Sequence, residues 1–395
     1  MQTILFIESG TSGGGSFESL YQYLCVINRQ KYRPIVVFFN DNRFTEFLTE
    51  LGITFYIITH PLYSKNSPPS INRFINLAAH HLKKYVPWIY LISISFTHKP
   101  VINKLEWIIK ENKVDLLYLN DQINRDLFCL VLVKRTEVKC ISHLRSIDGQ
   151  NFEPYACFAN KNISTYIANS EFTKNYWIKK GVDPNKTITI YNSIENLNIE
   201  PINIHNYLKL NNNQYKIKFI GYVGRLVFKK NLAFLLKVFD IFNQKFPDSL
   251  LIIVGDGPMR KVIENAATAL GIEKSIVFTG YLNNAKEIIA SLDLLVLPSI
   301  VEEFGRVLIE AMQLCTPVVA ANSGGIPEVI KHEYNGLLAK PDDEKEFCKA
   351  IERMLFDESL RAKCIKNGHK TTIEKFGIKQ YANKIEKIYK KVLAD

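Results

Sequence analysis

A chain of 395 residues, 47% hydrophobic and 23% charged, is too long for one ordinary core and reads as two soluble domains of roughly 150 to 200 residues each. No stretch reaches the roughly 18 to 20 apolar residues that span a bilayer, and Met1–Ile7 lacks the basic region and cleavage site of a signal peptide, so the expected location is cytoplasmic. The net charge of +11 suits an anionic partner, but the lysines are scattered and no compact nucleic-acid motif appears, so nucleic acid is not the expected ligand.

In chain order, Thr3–Ile7 predicts a first strand, Glu8–Ser16 a loop and Phe17–Arg29 a helix. Pro34–Phe39 follows as a strand, Phe44–Leu51 as a short helix closed by Gly52, and Ile53–Ile58 as a third strand. Val114–Leu119, Val138–His143, Ile163–Ala168 and Thr187–Ile190 continue the series. Short apolar runs separated by helical patterns imply β-α-β units and a parallel sheet covered on both faces. An Asn-rich polar stretch, Glu195–Gln214, then marks a domain boundary. A second series has strands Lys218–Val223, Leu250–Val254, Ile276–Phe278, Leu294–Leu297, Pro317–Ala320 and Gly336–Ala339, and the chain closes on an amphipathic helix, Lys379–Ala394. The expected architecture is α/β, with Rossmann-like domains over 1–200 and 215–375 facing a central cleft. Segment 376–395 is expected to pack back toward the first domain. In such open sheets ligands bind beyond the carboxyl ends of the strands, so chemistry belongs on the loops there.

Four loops answer that rule. Ser12-Gly13-Gly14-Gly15-Ser16 follows strand one and opens a helix, where backbone approaches a ligand closely and anions are favoured. Its spacing is not G-x-G-x-x-G and no acid ends strand two, which disfavours a dinucleotide. Gly224-Arg225 and Lys230 follow the first strand of the second domain. Arg supplies a fork of donors and Lys a point charge for a diphosphate, or both are plain surface cations. Beyond Leu294–Leu297, the stretch "SIVEEFGRVLIEA" puts Glu302 on a loop, Phe304-Gly305 at the start of a helix over Arg306–Gln313, and Glu310 within it. Backbone N–H groups near Phe304 and Gly305 suit an anion, and the carboxylates suit sugar hydroxyls. Glu302 and Glu303 also read as acids favoured by the helix dipole. Asn322–Glu328 is a further glycine-bearing loop after a strand. None of the seven cysteines forms C-x-x-C, and adjacent His80-His81 is the only close histidine pair, so no disulfide framework or metal site is expected.

The motifs "VGRLVFKKN", "VGDGP", "FTGYL", "LDLLVLPSIVEEFGRVLIEAM", "TPVVAANSGGIPEVI" and "NGLLAKPDD" resemble the large retaining glycosyltransferase family numbered four, in that family's order over residues 218–345. "SGGGSFESL", "ANSEFTKNYW" and "ITIYNSI" resemble it more loosely. The resemblance implies the GT-B fold, a UDP- or GDP-sugar donor, retention of anomeric configuration and catalysis without a bound metal or other cofactor. It also implies roles: Arg225 and Lys230 on the donor diphosphate, Glu310 on the ribose hydroxyls, Glu302 on the donor sugar with backbone at Phe304-Gly305, and Gly14 and Gly15 near the phosphate. Backbone near Gly280-Tyr281-Leu282 would hold the base. His143 matches a histidine that touches donor sugar or acceptor, or else is a buried strand-end residue. Asn120, Asp121 and Arg145 fall on the acceptor side by the strand-end rule. Glu303 departs from the pattern, which usually has glycine there, and adds charge beside the diphosphate. The implied activity is transfer to a hydroxyl of a glycan or lipid-linked glycan in surface polysaccharide assembly, with domain closure excluding water. A nucleotide-sugar epimerase, a phosphorylase and a silent binding subunit are the alternatives. Residues 80–99, "HHLKKYVPWIYLISISFTHK", place Lys83, Lys84 and Lys99 around an apolar run. That run reads either as a buried helix and strand or as a contact with anionic lipid at the inner face of the plasma membrane.

Overall fold

A computed structural model describes residues 1–9, 15–40, 44–59, 87–121, 123, 127–149, 152–207 and 217–394. The chain forms two compact units, one made of Met1–Asn192 together with Ile378–Asp395 and the other of Ser193–Gly377.

The first unit holds seven strands: β1 (Gln2–Glu8), β2 (Tyr32–Phe38), β3 (Thr54–Ile57), β4 (Leu116–Leu119), β5 (Lys139–Leu144), β6 (Thr165–Ala168) and β7 (Thr187–Thr189). Their order is β3-β2-β1-β4-β5-β6-β7, all parallel. β1 pairs with β2 on one side (Gln2 opposite Tyr32) and with β4 on the other (Ile4 opposite Leu116), so the winding reverses beside β1. Alternate side chains of the central strands feed two cores. Leu5, Ile7, Leu117 and Leu119 pack beneath the helices Lys99–Glu111 and Leu127–Thr136. Ile4, Phe6, Leu116 and Tyr118 pack beneath the helices Gly15–Val26 and Ile378–Ala394. That last helix buries Ile378, Tyr381, Ala382, Ile385, Ile388, Tyr389 and Val392, a stripe at three- and four-residue spacing that matches the helical period.

The second unit holds β8 (Lys218–Val223), β9 (Ser249–Val254), β10 (Ile276–Gly280), β11 (Leu294–Leu297), β12 (Val318–Ala321) and β13 (Leu337–Ala339) in the order β10-β9-β8-β11-β12-β13. β8 lies between β9 and β11, so this sheet reverses at β8/β11. Both sheets therefore have the doubly wound Rossmann order, with a crevice at the reversal point.

The change of unit falls at Asn192–Ser193, ahead of the expected polar boundary. Ile194 N donates to Phe376 O at 2.9 Å, Lys286 Nζ reaches Glu195 at 3.3 Å and Ser291 Oγ donates to Ile202 O at 3.0 Å, which ties residues 194–202 to the second unit. All seven cysteines are free thiols, with Cys129, Cys140, Cys348 and Cys364 buried and Cys25, Cys157 and Cys315 exposed.

Candidate active site

The site of the second unit is built where its sheet reverses. The segment after β8 bends at Gly224, turns tightly with Val227 N donating to Arg225 O at 3.1 Å, and then forms a 3-10 turn, Phe228–Lys230, closed by Asn231 in the left-handed region at φ 56°. The segment after β11, Pro298–Gly305, ends with Gly305 at φ +82°, a conformation that glycine adopts without strain, and starts the helix Arg306–Gln313. A third loop, after β12, presses on the second. Gly324 sits at φ +58° with the Glu302 carbonyl oxygen 2.1 Å from where a Cβ would stand, and Gly325 N donates to that oxygen at 2.8 Å.

The two lysines of the 3-10 turn meet the two glutamates of the β11 loop. Lys230 Nζ makes a very short ion pair with Glu302 Oε2, which also accepts from Ser299 Oγ at 3.0 Å. Lys229 Nζ lies 2.8 and 3.0 Å from the two oxygens of Glu303, and its carbonyl accepts from Ile300 N at 2.9 Å. The charge of Glu303 is thus answered by Lys229, a residue that sequence reading passed over. Its signal was a doublet of cations, Lys229-Lys230, facing a doublet of acids, Glu302-Glu303.

Arg306 Nε donates to Glu310 Oε1 at 2.9 Å across one helical turn, with both side chains mostly buried. The order is opposite to what helix stability favours, since a cation in the first turn faces the positive end of the dipole. Two features are open for a ligand. Glu302 and Glu310 each engage one carboxylate oxygen and leave the other, Oε1 of Glu302 and Oε2 of Glu310, without a bond to the described residues. The Arg225 guanidinium is exposed and likewise unbonded among them, while its carbonyl accepts from Tyr222 Oη at 3.1 Å. Burial, then the Glu302 charge, pushes the Tyr222 phenol well up, so it remains a neutral donor.

The other expected donor residues divide. Phe304 is buried and packs edge-on against Phe376 at 5.6 Å, so its side chain supports the loop. Tyr281 is exposed and Leu282 half-buried beyond β10. Gly14 lies outside the described residues. Gly15 begins the first helix with open space around it, so packing does not demand a glycine there.

The expected acceptor-side and catalytic residues of the first unit do stand at strand ends, but as interior groups. Arg145 Nε donates to Asn120 O at 3.0 Å, its Nη2 to Asn120 Oδ1 at 2.9 Å and its Nη1 to Asn192 Oδ1 at 2.9 Å. Asn120 Nδ2 donates in turn to Glu8 Oε2 at 2.5 Å and to Ser16 O at 3.1 Å. The amide of Asn120 bridges a buried cation and a buried acid, and both ends of it are engaged. Asn120 and Arg145 thus stand in a buried polar network, in which Glu8 was not foreseen. Asp121 is buried beside it. His143 is wholly buried on β5, with Nδ1 2.7 Å from Tyr118 Oη and Nε2 lacking a partner. Burial, reinforced by the Arg145 charge, holds its pKa well below the usual range. The ring has no exposed surface in this structure, as the buried strand-end alternative expects.

Residues 206–371 match the family described as glycosyl transferases group 1. An uncharacterized glycosyltransferase of Methanocaldococcus jannaschii is 30% identical over 273 residues, which cover 65% of this chain and 68% of that one. The chain belongs to the group 1 glycosyltransferases. This member is also 25% identical over 307 residues to the UDP-Gal:alpha-D-GlcNAc-diphosphoundecaprenol alpha-1,3-galactosyltransferase of Escherichia coli, covering 71% of this chain and 76% of that one. Other curated relatives match this glycosyltransferase over less than half of their own length. Its fold is that of HepE from Anabaena, a structure in complex with UDP-glucose, with a TM-score of 0.80 at 22% identity over 99% of this chain and 100% of that one. The two parallel-sheet units are thus the Rossmann-like domains of a GT-B glycosyltransferase.

Proposed function

We propose that this group 1 glycosyltransferase moves a sugar from a nucleotide-sugar donor to a hydroxyl of a glycan or lipid-linked glycan, with retention of anomeric configuration, in surface polysaccharide assembly. The observation that carries the reading is the pair of half-engaged acids. Glu302 and Glu310 each keep one oxygen open, on a segment that also offers cations from Lys230 and Arg225 at the adjacent strand end. A nucleotide sugar has that complement, with hydroxyls on the sugar and on the ribose flanking a diphosphate. The names of the relatives favour UDP over GDP, since one acts from UDP-Gal and the other is solved with UDP-glucose.

In this reading the diphosphate takes Lys230 from Glu302, and Arg225 adds its fork of donors. Glu302 accepts hydroxyls of the donor sugar and Glu310 those of the ribose. As the bond from the anomeric carbon to the phosphate oxygen breaks, charge grows on the leaving group and the two cations stabilise it by about 3 kcal/mol each. The acceptor hydroxyl forms its new bond to the anomeric carbon on the same face, and its proton passes to the departing phosphate oxygen.

The test is turnover of UDP-sugars by the full chain, with and without glycan acceptors, followed by the anomeric proton coupling of the product. Acceptor-dependent nucleotide release and an unchanged anomeric configuration are expected. Lys230→Ala and Glu310→Ala lower turnover about 10²–10³-fold with the melting temperature of each variant measured in parallel. An epimerised free sugar, or tight binding with no turnover, overturns the reading.

A further inference from the structure

Two helices of the first unit bury most of their apolar side chains but carry a few exposed apolar groups on their outer faces. Helix Pro87–Thr97 turns Ser93 and Thr97 into the interior, where Thr97 Oγ1 donates to Ser93 O at 2.9 Å. Its outer face carries Ile92, 47% exposed, and Phe96, 71% exposed, four residues apart. Lys99, exposed, begins the next helix. The next helix, Lys99–Glu111, exposes Trp107 at 47%, with Lys104 Nζ 4.0 Å above its ring. Arg135 joins the two outer faces, donating to Ser95 Oγ at 2.8 Å and to Glu106 Oε1 at 3.4 Å. Lys99, Lys110 and Lys113 are exposed and have no carboxylate partner among the described residues. The acids of the neighbourhood are Glu106, paired with Arg135, and Glu111.

We infer that this face docks on an anionic lipid bilayer. Exposed aromatic and branched apolar groups ringed by lysines match an interface in which rings enter the acyl boundary and ammonium groups meet lipid phosphates. The occupant is a membrane surface rather than a span, since no helix among the described residues is long and apolar enough to cross one. Charge decides among occupants, because a second copy of this chain would bring lysines against lysines, whereas an anionic lipid neutralises them. Part of this face falls within the run that sequence reading linked to lipid, but Lys83 and Lys84 of that run lie outside the described residues, and Trp107, Lys104 and Lys110 were not foreseen. The inference goes beyond the donor chemistry and stands independently of it.

The test is co-sedimentation of the full chain with vesicles of phosphatidylcholine alone or mixed with phosphatidylglycerol, at low and high salt. Pelleting that needs phosphatidylglycerol and falls with salt is expected. Ile92→Ser with Phe96→Ser lowers the bound fraction about tenfold, and Lys99→Glu with Lys110→Glu does the same by an independent, charge-only route. UDP-sugar thermal shifts of both variants serve as a control for folding. Wild-type chain that stays in the supernatant with both vesicle types overturns the inference, as does unchanged pelleting of the apolar variant. A wild-type mass in solution of twice 45.4 kDa that falls to the single-chain value in the apolar variant gives the face to a second copy and also overturns it.

Discussion

Lys229 and Glu303 form one ion pair, yet truncating either partner has a different cost. The Lys229 side chain is 42% exposed and that of Glu303 only 11%. Removing the acid leaves a lysine that water solvates, which costs less than about 1 kcal/mol once screening is counted. Removing the lysine takes the cation away from a mostly buried carboxylate and costs about 2 kcal/mol. Denaturant unfolding of Lys229→Ala, Glu303→Ala and the double variant is expected to show this asymmetry, with the double variant near Glu303→Ala. His143 gives a pH signature. Its folded pKa is depressed, so between the usual value near 6.5 and that lower one only the unfolded chain takes the proton. Stability is therefore full above about pH 6.5 and falls by about 1 kcal/mol on going from pH 7 to 5.5, and His143→Gln removes that part of the slope. Equal pH slopes for the two proteins would refute this. These partnerships were not legible in the sequence because they join residues far apart. Lys229 and Glu303 are 74 positions apart, and Glu8 and Asn120 are 112 apart. The strand-end rule found Asn120 and Arg145, but not that they would engage each other's polar groups.

At the scale of elements, the three loops around Glu302 are one mechanical piece. Gly324 has its left-handed φ and faces backbone rather than a movable side chain. A methyl group there must push the Glu302 peptide aside. Gly324→Ala is expected to cost about 2 kcal/mol or more in stability and to abolish the UDP-sugar thermal shift, because the carboxylate moves with its peptide. A normal shift from Gly324→Ala would show that the loop tolerates displacement. Much at this scale could be read in advance. β8, β11 and the helix Arg306–Gln313 fall where expected, because continuous apolar runs bounded by Pro298 and Gly305 leave few alternatives. The helix Pro87–Thr97 resisted reading. Its apolar pattern does not reveal that Ser93 and Thr97 face inward, since only the packed partners decide which side is the interior.

At the scale of the whole molecule, the first unit is discontinuous in sequence. The helix Ile378–Ala394 covers one face of its sheet with seven buried side chains. Several of them are fully buried, at about 1.5–3 kcal/mol each, which is comparable to the roughly 5–15 kcal/mol that holds a typical domain together. A chain stopped after Gly377 is expected to lose the cooperative melting of the first unit. Substituting Tyr389, which packs on Tyr23, Tyr32 and Tyr118, with Ala is expected to lower its melting temperature by several degrees.

That arrangement also sets an order of events during synthesis. The ribosome completes residues 193–377 before it makes the helix that seals the sheet of residues 1–192. The segment made first is thus the one that finishes folding last, and until residue 394 emerges its aromatic underside must wait uncovered, as a surface for chaperones to shield.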